Sequence, residues 1–217
     1  RLVPALDILK DNVDVLISVD TMFADIAEKA LELGADMIND VSGFKADDRM
    51  LDVLAEHGCP AVAMATGKIP GDPISMNAIM DSLASIIMQA HDKGMDTSKL
   101  ILDPAIGKWV PEKIPIYDFE TIDQFERLKV FHRPLLAAIS RKSCIDAVLH
   151  RPPEERLYGT LAATAIVVHK GAHIIRTHDV HQTMDVVEVA AAMRSRQPVV
   201  KENGFEVSVV NIVHPED

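Results

Sequence analysis

Short apolar runs alternate with longer stretches of helical periodicity throughout this 217-residue chain. Residues 16–19, 37–41, 61–65, 100–102, 135–139 and 174–175 read as six strands. Most are apolar along nearly their whole length rather than at every second position, the mark of a sheet covered on both faces. Between them, apolar residues recur every three or four positions. Phe23, Ile26, Ala27, Ala30 and Leu31 form one such face, with Thr21 as a candidate N-cap and Gly34 as a stop. Met50, Leu51 and Leu54 mark a second helix ending at Gly58. Ile79, Leu83, Ile86, Ile87 and Ala90 mark a third, ending at Gly94. Phe119, Ile122, Phe125 and Leu128 predict one continuous helix. A long helical region follows Pro153, with a last helix from Met184 to Met193.

Strands alternating with helices imply a parallel α/β sheet, either open and doubly wound or closed as a (β/α)8 TIM barrel. No Gly-x-Gly-x-x-Gly follows a strand, which weakens the dinucleotide-binding version of the open sheet. Polar residues end most strands: Asp20-Thr21, Asn39-Asp40, Asp103, Ser140 to Ser143, and Arg176 to His178. A site assembled from many strand ends is the barrel's habit. Six units are visible, however, and Leu2, Leu6 and Leu9 read as the end of a preceding helix. The six are therefore expected to be strands 3–8 of the barrel, with two units lying before Arg1. The barrel domain is expected over residues 1–197 and a strand-like extension over 198–217. Open edges would make the isolated chain associate.

Composition narrows the partners. The net charge of −11 and an aromatic content of 4% speak against a nucleic-acid surface. No apolar run is long enough to span a membrane. Cys59 and Cys144 lack zinc-type spacing and do not suggest a disulfide framework, so a cytoplasmic setting is expected. His57, His91, His132, His150 and His169 are expected at the surface, the methionines at helical spacing in the core, and the Glu/Lys runs on solvated faces. Cys144 has no evident base partner and is not expected to act as a nucleophile.

Against that acidic background, two basic clusters at strand ends point to an anionic ligand. Lys142, after Ser140-Arg141, places a mobile point charge at the start of a helix. Ser143 and the first N–H groups of that helix suit a carboxylate. Arg176 and His178 alternate beyond a strand and suit a diphosphate, because guanidinium meets phosphate oxygens in a bidentate manner. Asp20 can orient or stabilise a reacting group. Asn39 both donates and accepts, as the edge of a heterocycle requires. Asp103, before Pro104, can accept the two N–H groups of a guanidine-like edge. Each has a structural alternative: a helix cap, a loop hydrogen bond, an Asp-Pro turn or an ion pair.

Taken in order, these pieces carry a resemblance. Ile17-Ser18-Val19-Asp20-Thr21, Ile38-Asn39-Asp40-Val41-Ser42-Gly43, Leu102-Asp103-Pro104-Ala105-Ile106-Gly107, Ser140-Arg141-Lys142-Ser143, Gly159-Thr160-Leu161-Ala162-Ala163-Thr164 and Arg176-Thr177-His178-Asp179-Val180 together resemble dihydropteroate synthase. The likeness runs from about Arg1 to Arg196. It implies a (β/α)8 barrel that joins p-aminobenzoate to 6-hydroxymethyl-7,8-dihydropterin diphosphate and releases diphosphate with Mg2+. It further implies a homodimer. Asn39 and Asp103 would read the pterin edge, with Asp20 and Lys142 beside the ring. Arg176 and His178 would hold the diphosphate, and Ser143 would lie near the aminobenzoate carboxylate. Catalysis would rest on Lys142, Asp20 and Arg176.

The chain also departs from that family. The Asn-Val-Thr-Pro-Asp-Ser-Phe and Gly-Gly-Glu-Ser-Thr-Arg-Pro loops are absent, and with them the family's metal-binding asparagine. The strand ending Met64-Ala65-Thr66-Gly67 lacks the usual Met-His. Ala105 replaces a usual glycine, and Lys108-Trp109 breaks the Phe-Gly-Lys pattern. Two other readings follow. One is a methyltetrahydrofolate-type methyltransferase, which needs neither the Ser140–Ser143 run nor the Arg–His anchor. The other is a diverged, non-catalytic pterin-binding protein.

Overall fold

The structure, a computed structural model, describes residues 2–195 and 210–211. Helix α1 (Leu2–Asn12) buries Leu6 and leads into β1 (Ile17–Asp20). There follow α2 (Ala24–Glu32), β2 (Met37–Asp40), α3 (Met50–His57), β3 (Ala61–Met64), α4 (Met76–Asp92) and β4 (Leu100–Asp103). The second half holds α5 (Pro115–Asp123), β5 (Leu136–Ala138), α6 (Ser143–Leu149), α7 (Leu157–Lys170), β6 (Ile174–Arg176) and α8 (Val180–Ser195). All six expected strands are present, within a residue or two of their expected ends. Gly34, Gly58 and Gly94, expected as helix stops, all have positive φ, which glycine adopts without steric cost.

Two local expectations are corrected. Thr21 does not cap α2: its Oγ1 accepts from the Phe23 N–H, while the Ala24 N–H donates to Asp47 Oδ2 at 2.8 Å. The continuous helix from Phe119 to Leu128 is instead α5 followed by a 3-10 segment, Phe125–Phe131.

Every strand pair is parallel. One sheet has the order β4-β3-β2-β1-β7, where β7 is Val210–Asn211, and a second pairs β5 with β6. Among the described residues a parallel bridge between Leu102 and Leu135 joins the two. The α/β class with a parallel sheet is thus observed, whereas the described strands do not by themselves show a closed eight-stranded barrel. Of the extension expected over 198–217, only Val210–Asn211 are described, pairing with Ile17 and Ser18; the rest of that expectation lies outside the described residues.

The strands are apolar throughout because they face two cores. Val19, Ile38, Ala61, Ala63, Leu100, Leu102, Leu135, Ala137 and Ile139 pack outward against the helices. Val62, Ile101, Leu136 and Ala138 form a separate inner cluster, with Met37 and Ile174 against it. Alternation along a strand assigns successive residues to opposite faces. Each fully buried Leu or Ile in these layers contributes about 1.5–3 kcal/mol.

The same two-residue period positions the site. Continuing the inner face toward the strand C-termini leads from Met37 to Asn39 and from Ile101 to Asp103. It likewise leads from Leu136 through Ala138 to Ser140, and from Ile174 to Arg176. In β1 it joins Ser18 to Asp20. The inner face is apolar at the bottom and polar at the top.

Candidate active site

Ser18, Asp20, Met37, Asn39, Val62, Leu136, Ile174 and Arg176 line one cavity of about 80 Å3. Strands from both sheets contribute to it. At its polar end Asp20 is the hub. Its Oδ1 accepts from Asn39 Nδ2 at 2.5 Å, and its Oδ2 accepts from an Arg176 guanidinium N–H at 3.2 Å. One carboxylate therefore binds its neighbouring strand and a strand 156 residues later in the chain. Asn39 keeps its carbonyl oxygen and a second N–H for a ligand.

Asp103 closes β4 and is buried, with its Oδ1 accepting the Ala105 N–H at 2.7 Å. Burial raises its carboxyl above the ordinary range. The Ala105 N–H and the nearby Lys142, Lys113 and Arg176 cations oppose that rise. Lys142 is half-buried at the N-cap of α6, with Ser143 as the first helical residue. Burial lowers its ammonium, Asp103 counters this, and Arg176 adds to it. Its Nζ stands 5.2 Å from the centre of the Trp109 ring, within cation–π range.

His178 lies just beyond β6, and Ser140 holds it twice. The His178 backbone N–H donates to Ser140 Oγ at 3.2 Å, and Nδ1 sits 2.9 Å from the same oxygen. The hydroxyl accepts the first bond and still carries a hydrogen that it can donate to Nδ1, an arrangement that would leave the ring proton on Nε2. Burial, then Arg141 and Arg176, hold His178 below the ordinary histidine range. Arg141 is no ligand group: its left-handed backbone (φ 57°) turns its guanidinium onto Asp179 at 3.1 and 2.7 Å, locking the loop after β5 to the loop after β6.

The residues expected at the site are therefore brought to one end of the sheet. Sequence reasoning did not assign the supporting roles of the residues that hold them. Ser140 was signalled by its inner-face parity. Arg141 and Asp179 carried no signal beyond their place in basic and acidic runs. Lys113, which the sequence does not single out, is only 1% exposed. Cys144 is buried, and burial pushes its thiol up to about 11. The five histidines assigned to the surface are exposed. The methionines divide, with Met50, Met64, Met76 and Met95 in the core and Met88 and Met193 at the surface.

Residues 1–178 match a family profile described as pterin binding enzyme. The chain belongs to the pterin-binding enzyme family. Its relatives include a dihydropteroate synthase of Clostridium beijerinckii, 38% identical over 181 residues, covering 83% of this chain and 66% of that protein. Another is a dihydropteroate synthase of Synechocystis, 34% identical over 206 residues, covering 89% of this chain and 68% of that protein. The chain thus spans about two thirds of the length of these two relatives. Among solved structures, the dihydropteroate synthase of Coxiella burnetii in complex with pteroic acid matches with a TM-score of 0.83 and 31% identity. That match covers 91% of this chain and 74% of the other. No helix among the described residues is long and apolar enough to cross a membrane.

Proposed function

We propose that this chain acts as a dihydropteroate synthase, joining p-aminobenzoate to 6-hydroxymethyl-7,8-dihydropterin diphosphate. The observation that carries the reading is the Asn39–Asp20–Arg176 chain at the polar end of the cavity, with Asp103 and Lys142 near enough to Arg176 to feel its charge. It supports the reading because an amide suited to a heterocycle edge lies beside a guanidinium suited to an anion. The relatives named above support it. We further propose that the six strands are strands 3–8 of a (β/α)8 barrel; the inner apolar cluster and the cavity shared by both sheets support that architecture.

In the proposed reaction the bond from the pterin methylene carbon to the diphosphate oxygen breaks, and the oxygen leaves with the electron pair. The aniline nitrogen then bonds to the methylene carbon and loses a proton to solvent. Arg176 and the Nε2–H of His178 meet the charge growing on the leaving oxygens. Asp20 fixes the direction of Arg176. Asn39 and Asp103 hold the pteridine edge, Lys142 lies beside the ring, and Ser143 is assigned to the aminobenzoate carboxylate. Holding both partners in line supplies much of the acceleration. Among the described residues no three His, Cys, Asp or Glu side chains converge on a metal site. Mg2+ dependence, homodimer formation and a cytoplasmic location complete the proposal.

The test is calorimetric titration with the pterin diphosphate and with plain hydroxymethyl pterin, together with an assay of diphosphate release. The diphosphate is expected to bind more tightly. Equal affinity for the two ligands with Mg2+ present would overturn the synthase reading and leave a pterin-binding protein.

A further inference from the structure

Ala105 sits two residues after Asp103 with φ +61°, a left-handed conformation that strains any residue with a Cβ. It is buried and cannot relax toward solvent. The turn has a use: it aims the Ala105 N–H at Asp103 Oδ1, 2.7 Å away. It also drives the Ala105 carbonyl into the interior, where a lone acceptor is costly. Lys113 meets that carbonyl, its Nζ donating at 2.5 Å. The side chain of Lys113 is fully buried, and Asp118 Oδ1 lies 3.5 Å from its ammonium. The same Asp118 oxygen accepts the Gly107 N–H at 2.8 Å. One buried ion pair thus grips the loop at residues 105 and 107. Lys142 rests on the opposite side of Gly107: a Cβ there would meet its Cδ at 3.0 Å.

A buried ion pair is weak evidence for stability, because apolar residues of equal volume often serve as well. Its position suggests another role. We propose that Lys113, paired with Asp118, is a positioning residue that clamps Ala105 left-handed so that Asp103 is held in its ligand-facing orientation. The inference rests on the pterin reading for the identity of that ligand. Glycine at position 105 would take the same conformation without the clamp. Lys113 therefore offsets the alanine.

The test is a double-mutant cycle between Lys113→Met and Ala105→Gly in the chain as it exists, read by calorimetric affinity for 6-hydroxymethylpterin and by thermal unfolding. Lys113→Met is expected to weaken binding by about tenfold or more, the scale set by the strain of a left-handed alanine. Combined with Ala105→Gly, it should come within about threefold of Ala105→Gly alone. Lys113→Met/Asp118→Asn, which leaves no unpaired buried charge, should show the same loss as Lys113→Met and the same rescue by Ala105→Gly. Equal losses in both backgrounds, or no loss in either, would overturn the clamp. A Lys113 variant that folds only alongside Ala105→Gly supports it, and failure to fold in both backgrounds overturns it. If the unsubstituted chain binds no pterin, the functional reading fails, while the unfolding half of the cycle still decides the clamp.

Discussion

The Arg176 guanidinium donates to Asp20 Oδ2 at 3.2 Å, joining the end of β6 to the end of β1. These two strands lie in different sheets of the described structure. The bond therefore closes the polar end of the cavity where no backbone ladder does. It also gives the two charges a shared geometry before any ligand arrives. Both side chains are about one third exposed, so the pair adds little to stability and its value lies in orientation.

Replacing Arg176 tests that orientation. Arg176→Ala removes a charge-assisted donor and releases one oxygen of Asp20. It is expected to lower kcat/KM for the pterin diphosphate by about tenfold to a hundredfold, the range of a lost hydrogen bond to a charged group. Affinity for the pterin without diphosphate should change far less. Steady-state kinetics beside calorimetry with both pterins checks this, and equal losses for the two would detach Arg176 from the diphosphate.

Lys142 predicts a pH dependence. Burial lowers its ammonium below the ordinary value of 10.5, so the charge is lost earlier on raising the pH than from a solvated lysine. The folded state releases this proton before the unfolded state does. Between the lowered pKa and 10.5, stability contributed by this group therefore rises with pH, while activity that needs the ammonium falls. Lys142→Ala is expected to reduce turnover by at least about tenfold. Lys142→Arg should remove the alkaline limb, because guanidinium stays charged throughout. A pH–rate profile of the three proteins decides the point.

The six strands were legible because burial on both faces leaves a continuous apolar run with a polar residue at its end. The site residues were legible for the same reason: Asn39, Asp103 and Arg176 interrupt such runs at the end where sheet ligands bind. The break after α5 was not legible. Phe119, Ile122, Phe125 and Leu128 recur every three residues, a spacing that α and 3-10 segments both satisfy. The α2 cap was hidden because its acceptor, Asp47, is contributed by a distant loop. Lys113 was hidden most deeply. A lysine in a loop carries no mark of burial, and only its acceptor at Ala105 and its partner Asp118 give it one.

Asp103 should trade stability against function. Its carboxyl is raised above the ordinary 3.8, chiefly by burial. Stability from such a group is fully present below 3.8 and is lost as pH rises through the folded pKa. Asp103→Asn should therefore melt higher than the parent at pH 7, by about 2–4 °C for each kcal/mol of relieved burial. The advantage should shrink toward pH 3–4, where the parent carboxyl is neutral too. Pterin affinity should fall in the same variant, because an amide cannot accept two N–H groups from a guanidine-like edge as a carboxylate does. Melting curves across pH, set beside calorimetric affinity, test both halves. A variant less stable at pH 7 would show that the neighbouring cations outweigh burial.

His178 gives the last prediction, because two different residues control it. Ser140 bonds its Nδ1, and Arg141 depresses its pKa, after burial. In the parent, His178 should be neutral at pH 7 with its proton on Nε2. Its stability contribution should be present above 6.5 and be lost as pH falls through the lowered folded pKa. Arg141→Ala removes a nearby cation, so His178 should titrate closer to 6.5. It also breaks the bidentate bond to Asp179 and keeps the left-handed strain, costing about 1–2 kcal/mol for a pair only partly exposed. Ser140→Ala leaves the Arg141–Asp179 pair intact, yet removes the Nδ1 partner. It should mix the tautomers and raise KM for the diphosphate substrate more than it lowers kcat. Imidazole nitrogen shifts measured by NMR in the parent and both variants separate the two effects. A parent imidazole protonated on Nδ1 would refute the hydrogen-bond assignment, because Ser140 Oγ would then accept from both groups and leave Nε2 without a proton for the anion.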